Sequence, residues 1–195
     1  MKTLVVYHEP GVRGSERILE KLLALLDSLG LKARLSPLKE SIVNRCWNFE
    51  RIYLLMFGRG GHWLELRDAC NTEPRILPPL LVAEGVASVT RPGSSIVLVY
   101  RRARRNNVMY TRDIMNIVNA LRALGRRALP LEASRALRLG PYRADYVVPL
   151  ALLPGSLAEH AARIARVLNA EPLPPFAVYA IEHIAAWIAS EAIQS

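Results

Sequence analysis

The chain repeats its own pattern once, at a spacing of 93 to 95 residues. Each copy reads strand, loop, helix, strand, strand, helix, and tyrosines and glycines recur at matching places. The matched positions are Tyr7 and Tyr100, Gly30 and Gly125, Arg51-Ile52-Tyr53 and Ala144-Asp145-Tyr146, and Gly60-Gly61 and Gly155-Ser156. Solenoid repeats are shorter, so a repeat of this length indicates a duplicated α/β unit. A chain of 195 residues can hold two such halves around a shared core.

Apolar strands alternate with amphipathic helices in both halves. We expect strands at 3–7, 31–35 and 52–57, and again at 96–100, 128–131 and 146–150. Helices are expected after the N-cap residues Ser15 and Thr111, ending at Gly30 and Gly125, and also at 157–168 and 176–193. Continuous apolar strands are typical of parallel sheets covered on both faces. We therefore predict an α/β protein of two similar halves, each a small parallel sheet flanked by helices, facing each other across a cleft.

The predicted domain boundaries follow from the repeat. The first half spans 1–90 and the second 95–170, with 90–95 as the hinge because it contains Pro92-Gly93. The helix in 171–195 is apolar on most sides, so we expect it to pack on the core or on a partner subunit. A homodimer through this helix is the corresponding expectation.

Composition and cysteine usage indicate a folded, cytoplasmic protein. The chain is 51% hydrophobic, without low-complexity segments, which excludes an intrinsically disordered protein. No uncharged apolar run reaches the length of about 18 residues that a transmembrane helix needs, and no signal-peptide pattern precedes the first strand. Cys46 and Cys70 lack a metal-type spacing, and we expect them to be reduced thiols in the core.

Positive charge is concentrated in one segment. The formal net charge is +9, and residues 101–143 hold eleven arginines against Asp113 and Glu132, so the rest of the chain sums to zero. The planar guanidinium group suits bidentate contacts with carboxylate or phosphate. This clustering predicts a polyanionic partner, either nucleic acid or a small molecule with many carboxylates.

Two histidines follow apolar strands of the first half. His8 comes directly after the strand at 3–7, and His62 follows the strand at 52–57 through Gly58-Arg59-Gly60-Gly61. Ligands of open parallel sheets bind beyond the carboxyl ends of the strands, where two imidazoles could share a metal or a substrate. In the second half, Arg101 stands in place of His8 and Leu157 in place of His62. We infer one active centre, with the second half as a binding wall.

These residues resemble the small cobalt and nickel chelatases of the sirohydrochlorin type, which are relatives of ferrochelatase. Leu4-Val5-Val6-Tyr7-His8 is similar to the family's opening strand with its His, and Met56-Phe57-Gly58-Arg59-Gly60-Gly61-His62 is similar to its later turn with a second His. The segment from Pro149 to Ser156 resembles that turn again, without the His. The likeness covers roughly residues 1–170.

The resemblance implies an enzyme, a lyase that inserts a divalent metal such as cobalt, nickel or iron into an anionic tetrapyrrole. His8 and His62 would hold the metal, which is a substrate, and accept protons from the pyrrole nitrogens. Glu9 is a candidate for orienting one imidazole; for Glu65, a solvated helix face is the stronger expectation. The candidate residues for binding the carboxylates of the tetrapyrrole are Arg59, Arg101, Arg102, Arg104 and Arg105. No nucleotide is expected, because no complete nucleotide-binding motif is present.

Two alternatives remain open. The arginines of 101–143 could bind nucleic acid, although Tyr100 and Tyr110 are the only aromatic residues near the loop at 101–107. The chain could also be a non-catalytic carrier of metal or tetrapyrrole. That reading is favoured by Glu9-Pro10-Gly11 after His8, where the family has Gly-Ser, and by Ser36-Pro37, where the family has an acidic residue.

Overall fold

The computed structural model describes residues 2–8, 15–44, 46, 48–138 and 142–193. Within these residues, eight parallel strands form two sheets of four. The first sheet contains β1 (Thr3–Tyr7), β2 (Ala33–Pro37), β3 (Arg51–Leu54) and β4 (Arg75–Ile76), in the order β2-β1-β3-β4. The second contains β5 (Ser95–Tyr100), β6 (Arg127–Glu132), β7 (Tyr146–Pro149) and β8 (Glu171–Pro172), in the order β6-β5-β7-β8. The predicted α/β fold of two similar halves is confirmed.

Helices cover both faces of each sheet. They are α1 (Ser15–Ser28), α2 (Leu38–Val43), α3 (Gly61–Cys70), α4 (Pro79–Ser88), α5 (Asn107–Ala123), α6 (Ser156–Leu168) and α7 (Phe176–Ile193), with a 3-10 turn at Ala133–Arg138. Consecutive strand residues point to opposite faces, so Val5 joins the central core while Leu4 and Val6 join an outer cluster beneath α2 and α3. None of the helices in the described part of the chain has the length and apolar character to cross a membrane.

Strand register confirms the duplication and corrects one part of its alignment. Thr3 lies opposite Ala33, just as Ile96 lies opposite Ala128, which reproduces the offsets of 93 and 95. On the other side, Thr3 lies opposite Arg51 and Ile96 lies opposite Tyr146. Arg51 therefore corresponds to Tyr146 and not, as the sequence pattern indicated, to Ala144. The offset is 95 residues from the second strand onwards, because the segment joining the first two strands is two residues longer in the second half.

The last helix of each half packs on the first helix of the other half. Helix α7 lies against α1, α4 lies against α5, and α4 and α7 cross each other. At that crossing a Cβ atom on Gly85 would come within 2.7 Å of the Phe176 ring, so the two backbones approach closely. Ile181, Ile184 and Ile188 of α7 are buried in the central core of the same chain. The apolar face of this helix is therefore used within the chain, and a homodimer remains a prediction.

Helix ends follow the predicted glycines but not the predicted Thr111 cap. Gly30 and Gly125 have positive φ angles of 78° and 76°, as a left-handed helix stop requires. Helix α5, however, begins at Asn107, with Asn106 as its N-cap at a φ of 55°, and Thr111 lies inside the helix. The polar run before Tyr110 gave no apolar periodicity from which this earlier start could be recognised.

The structure joins Cys46 to Cys70 in a disulfide bond, so the prediction of reduced thiols was wrong. Cys70 ends α3 and Cys46 precedes β3, and their Cα atoms are 4.9 Å apart. The two residues are 24 positions apart in sequence, and they meet because both are buried beside Leu4 and Ile52 on the outer face of the first sheet. The cytoplasmic location remains a prediction.

Candidate functional site

The carboxyl ends of both sheets open into one cleft of about 850 Å³. The first half contributes His8, residues 55–58 and 60–62 of the loop after β3, and Glu65. The second half contributes the loop from Arg101 to Arg105, Tyr110, the segment from Leu150 to Leu157, and Glu159. The two chemically different walls expected from the unequal repeat therefore face each other across this cleft.

His8 and His62 lie side by side in the cleft. His8 follows β1 directly and His62 is the second residue of α3. Their ring centroids are 5.0 Å apart with the planes tilted by 56°. The proximity follows from the sheet order, because β1 and β3 are hydrogen-bonded neighbours and their carboxyl ends share one edge. Two adjacent imidazoles can hold a borderline transition metal or accept protons.

Glu65 orients the imidazole of His62. Its Oε2 lies 3.1 Å from Nδ1 of His62, one helical turn away, and both side chains are partly exposed. Glu65 therefore contacts His62, the alternative that the sequence favoured less, while its side chain stays partly exposed to solvent. A carboxylate on Nδ1 leaves Nε2 as the ring nitrogen that can take a metal or a proton. Glu9 lies outside the described residues.

Within the described ranges, no three His, Cys, Asp or Glu side chains form a group that could hold a metal ion. The candidate ligands are therefore the two imidazoles, with Glu65 bonded to one of them. His160, on α6, is half-buried and does not line the cleft, and His183 is exposed on α7.

Four arginines line the opposite side of the cleft. Arg101 donates a hydrogen bond to Oγ of Ser156 at 2.8 Å, and Arg102, Arg104 and Arg105 are exposed. None of the four has a carboxylate partner in the described part of the chain, so their charges are available to an anion. Leu157, at the position of His62, adds an apolar surface to the same wall.

Arg59 does not line the cleft. Its guanidinium group is paired with the carboxylate of Asp113 on α5, and this hydrogen bond raises the pKa of Arg59 more than partial burial lowers it. The structure thus pairs Arg59 of the first half with Asp113 of the second, outside the cleft lining that holds the other four arginines predicted to bind the tetrapyrrole. Sequence reasoning missed the role of Asp113, although its spacing of four from Ile117 puts a carboxylate on the buried face of a helix.

Tyr110 forms part of the cleft floor beneath the glycine loop. Its ring lies 6.3 Å from that of Tyr100, measured between centroids, and burial raises the pKa of its phenol to about 12. The phenol is therefore neutral throughout the physiological range and acts here as packing for Gly58.

No protein-family model matches the chain, and no curated protein matches its sequence. Among solved structures, the chain is similar to SirB from Bacillus subtilis with Fe³⁺, at a TM-score of 0.62 and 14% sequence identity, over 97% of this chain and 94% of that chain. This likeness shows that the chain shares the fold of SirB.

Two sugar-binding proteins match at lower scores. A periplasmic solute binding protein from Actinobacillus succinogenes 130z with bound D-allose has a TM-score of 0.42 at 7% identity, over 99% of this chain and 91% of that chain. GanP, a glucose-galactose binding protein from Geobacillus stearothermophilus, has a TM-score of 0.43 at 10% identity, over 100% and 92%. Scores below 0.5 do not indicate a shared fold.

Proposed function

We propose that this protein is a chelatase that brings a divalent metal, cobalt, nickel or iron, together with an anionic tetrapyrrole such as sirohydrochlorin. The observation that carries the proposal is the pairing across one cleft of two adjacent imidazoles with four arginines that have no carboxylate partner among the described residues. A metal ligand set on one wall and a polyanion-binding set on the other match the two substrates of metal insertion. The likeness in fold to SirB, a structure with Fe³⁺, supports the same class of reaction.

The chain's own residues supply the chemistry in a definite order. His8 and His62 bind the metal loosely, since two imidazoles leave its remaining positions to water or the second substrate. The arginines bind the peripheral carboxylates of the tetrapyrrole through charge-assisted hydrogen bonds and hold its ring against the imidazoles. As the metal leaves for the ring, each imidazole nitrogen that it frees would accept one of the two pyrrole protons, and Glu65 would stabilise the imidazolium formed at His62.

The test is a titration of the protein with sirohydrochlorin, with and without Co²⁺, followed by absorbance. The variants are His62→Ala and, as a matched control, His183→Ala, which removes an exposed imidazole on α7 outside the cleft. We expect a Co²⁺-dependent spectral change in the wild type and the control, and its loss in His62→Ala.

Other outcomes select among the remaining functions. Binding of sirohydrochlorin without a metal-dependent change would replace the enzyme with a carrier. An absence of binding would contradict the tetrapyrrole proposal and leave nucleic acid as the partner of the arginines. Nucleic-acid binding would weaken steeply with salt and would not depend on His62.

A further inference from the structure

Arg59 and Asp113 tie the loop that precedes His62 to the opposite half. The backbone N–H of Arg59 donates to Oδ2 of Asp113 at 2.8 Å, its Nε donates to the same oxygen at 3.0 Å, and its Nη2 donates to Oδ1 at 2.7 Å. Asp113 is only 3% exposed. A bidentate ion pair with a third, backbone bond fixes orientation as well as distance.

Asn106 attaches the same loop at a second point. Its Nδ2 donates to the backbone oxygen of Arg59 at 2.6 Å. Asn106 is also the N-cap of α5 and directly follows Arg105. The loop that presents His62 and the loop that presents the arginines are therefore anchored to one another.

The glycines of the loop allow it to pack closely against the opposite half. A Cβ atom on Gly58 would lie 2.8 Å from the ring of Tyr110, and one on Gly60 would lie 3.2 Å from Cβ of Ala103. This close approach accounts for the glycine-rich sequence between β3 and α3. In the second half Pro154 stands at the position of Arg59, so the guanidinium and backbone N–H donors of Arg59 have no counterpart there.

We propose that the Arg59–Asp113 latch, defined by these two residues, sets the distance between the imidazole pair and the arginines; this rests on the proposed function. His62 lies three residues after Arg59, so a shift of the loop moves the metal ligand directly. The metal is held by one half and the tetrapyrrole by the other, and they react only when both are aligned. Arg59 and Asp113 are positioning residues, because their polar atoms are engaged with each other and neither lines the cleft.

The test separates positioning from substrate binding. The variants are Asp113→Asn, which removes the charge and keeps the shape, Arg59→Gln, and Arg59→Lys, which keeps the charge and the backbone bond. The matched control is Glu182→Gln, which removes the exposed ion pair between Lys21 of α1 and Glu182 of α7. We expect kcat, normalised to folded protein, to fall at least tenfold in Asp113→Asn and Arg59→Gln, with KM for Co²⁺ and for sirohydrochlorin changed by less than about twofold. Arg59→Lys should recover part of the loss.

A distance measurement tests the Arg59–Asp113 latch independently of enzyme activity. Spin labels on Asp68→Cys of α3 and Val167→Cys of α6 report the separation of the two halves from exposed positions. We expect a broadened distance distribution in Asp113→Asn and in Arg59→Gln, and no broadening in Glu182→Gln.

The outcomes for the latch and for the proposed function are distinct. An unchanged distribution together with an unchanged kcat would overturn the latch. If the wild type inserts no metal, the proposed function fails, and the distance distributions alone decide whether the latch holds the halves. If Asp113→Asn does not fold, the latch is tested by comparing Arg59→Lys with Arg59→Gln in the same measurements. Both of these variants keep the buried carboxylate of Asp113.

Discussion

At the scale of single residues, the contact between His62 and Glu65 would determine, under the proposed function, which ring nitrogen of His62 binds the metal. Hydrogen bonding to Nδ1 fixes the ring and raises the basicity of Nε2, and loss of such a partner typically costs 10- to 100-fold in metal affinity. This effect on metal affinity depends on two side chains, His62 and Glu65, within one turn of α3.

Glu65→Gln is expected to weaken Co²⁺ binding by about tenfold, because an amide orients the imidazole less strongly than a carboxylate. Isothermal titration calorimetry with Co²⁺ alone measures the change. Glu159→Gln is the matched control, since Glu159 is a cleft carboxylate on α6 in the opposite half. An equal loss of affinity in both variants would show that the overall charge of the cleft, and not the contact with His62, is responsible.

The sequence indicated the imidazole pair but not the groups that support it. His8 and His62 could be placed together because both follow apolar strands, and parallel strands end at one edge. For Glu65 the sequence favoured a solvated helix face, although a residue one turn away on a helix can also contact its neighbour. The partner of Arg59 could not be identified at all, since Asp113 is 54 positions away and meets it only after the halves assemble.

At the scale of elements, the sequence predicted best the strands and helices whose ends are marked by a change in polarity or by a glycine. Strand β1 and helix α7 match their predicted bounds, and α1 ends where Gly30 requires. Strands β4 and β8 are two residues long, too short for a recognisable pattern. Helix α4 packs against both α5 and α7, so its apolar residues do not form one stripe with a polar opposite face.

Gly85→Ala provides a test of the crossing between α4 and α7. Alanine has the higher helix propensity, by about 1 kcal/mol, and on that ground alone the variant would be more stable. The added methyl group would instead meet the ring of Phe176, and we expect a loss of about 1 to 3 kcal/mol in the free energy of unfolding, measured by urea denaturation.

A second substitution at the crossing shows whether the ring is the cause. Phe176→Leu in the Gly85→Ala background should recover part of the loss, because a smaller side chain makes room for the methyl group. A Gly85→Ala variant more stable than the wild type would contradict the close approach of the two helices.

At the scale of the whole molecule, the exchanged helices make the two halves one folding unit. The central core contains residues from both sheets and from α1, α4, α5 and α7, whereas the two outer clusters belong to single halves. Separating the halves would therefore expose the apolar side chains of the central core.

We expect fragments 1–92 and 93–195 to be unfolded when expressed separately and to regain structure when combined, because each supplies the helix that covers the other. Circular dichroism and heteronuclear NMR of the separate and mixed fragments measure this. A fragment that shows dispersed amide signals as a lone monomer would mean that one sheet with its own helices is sufficient for folding.

The exchange of α4 and α7 also bears on how such a chain could arise. An ancestor of half this length would have left its last helix uncovered as a monomer, and a second copy of the same chain would have covered it through a two-fold axis. Joining two copies in one chain would free each copy to mutate separately while the pairing is kept. Arg101 and Leu157 could then replace one pair of imidazoles without removing the other, and a symmetric assembly would become a protein with two unlike sides.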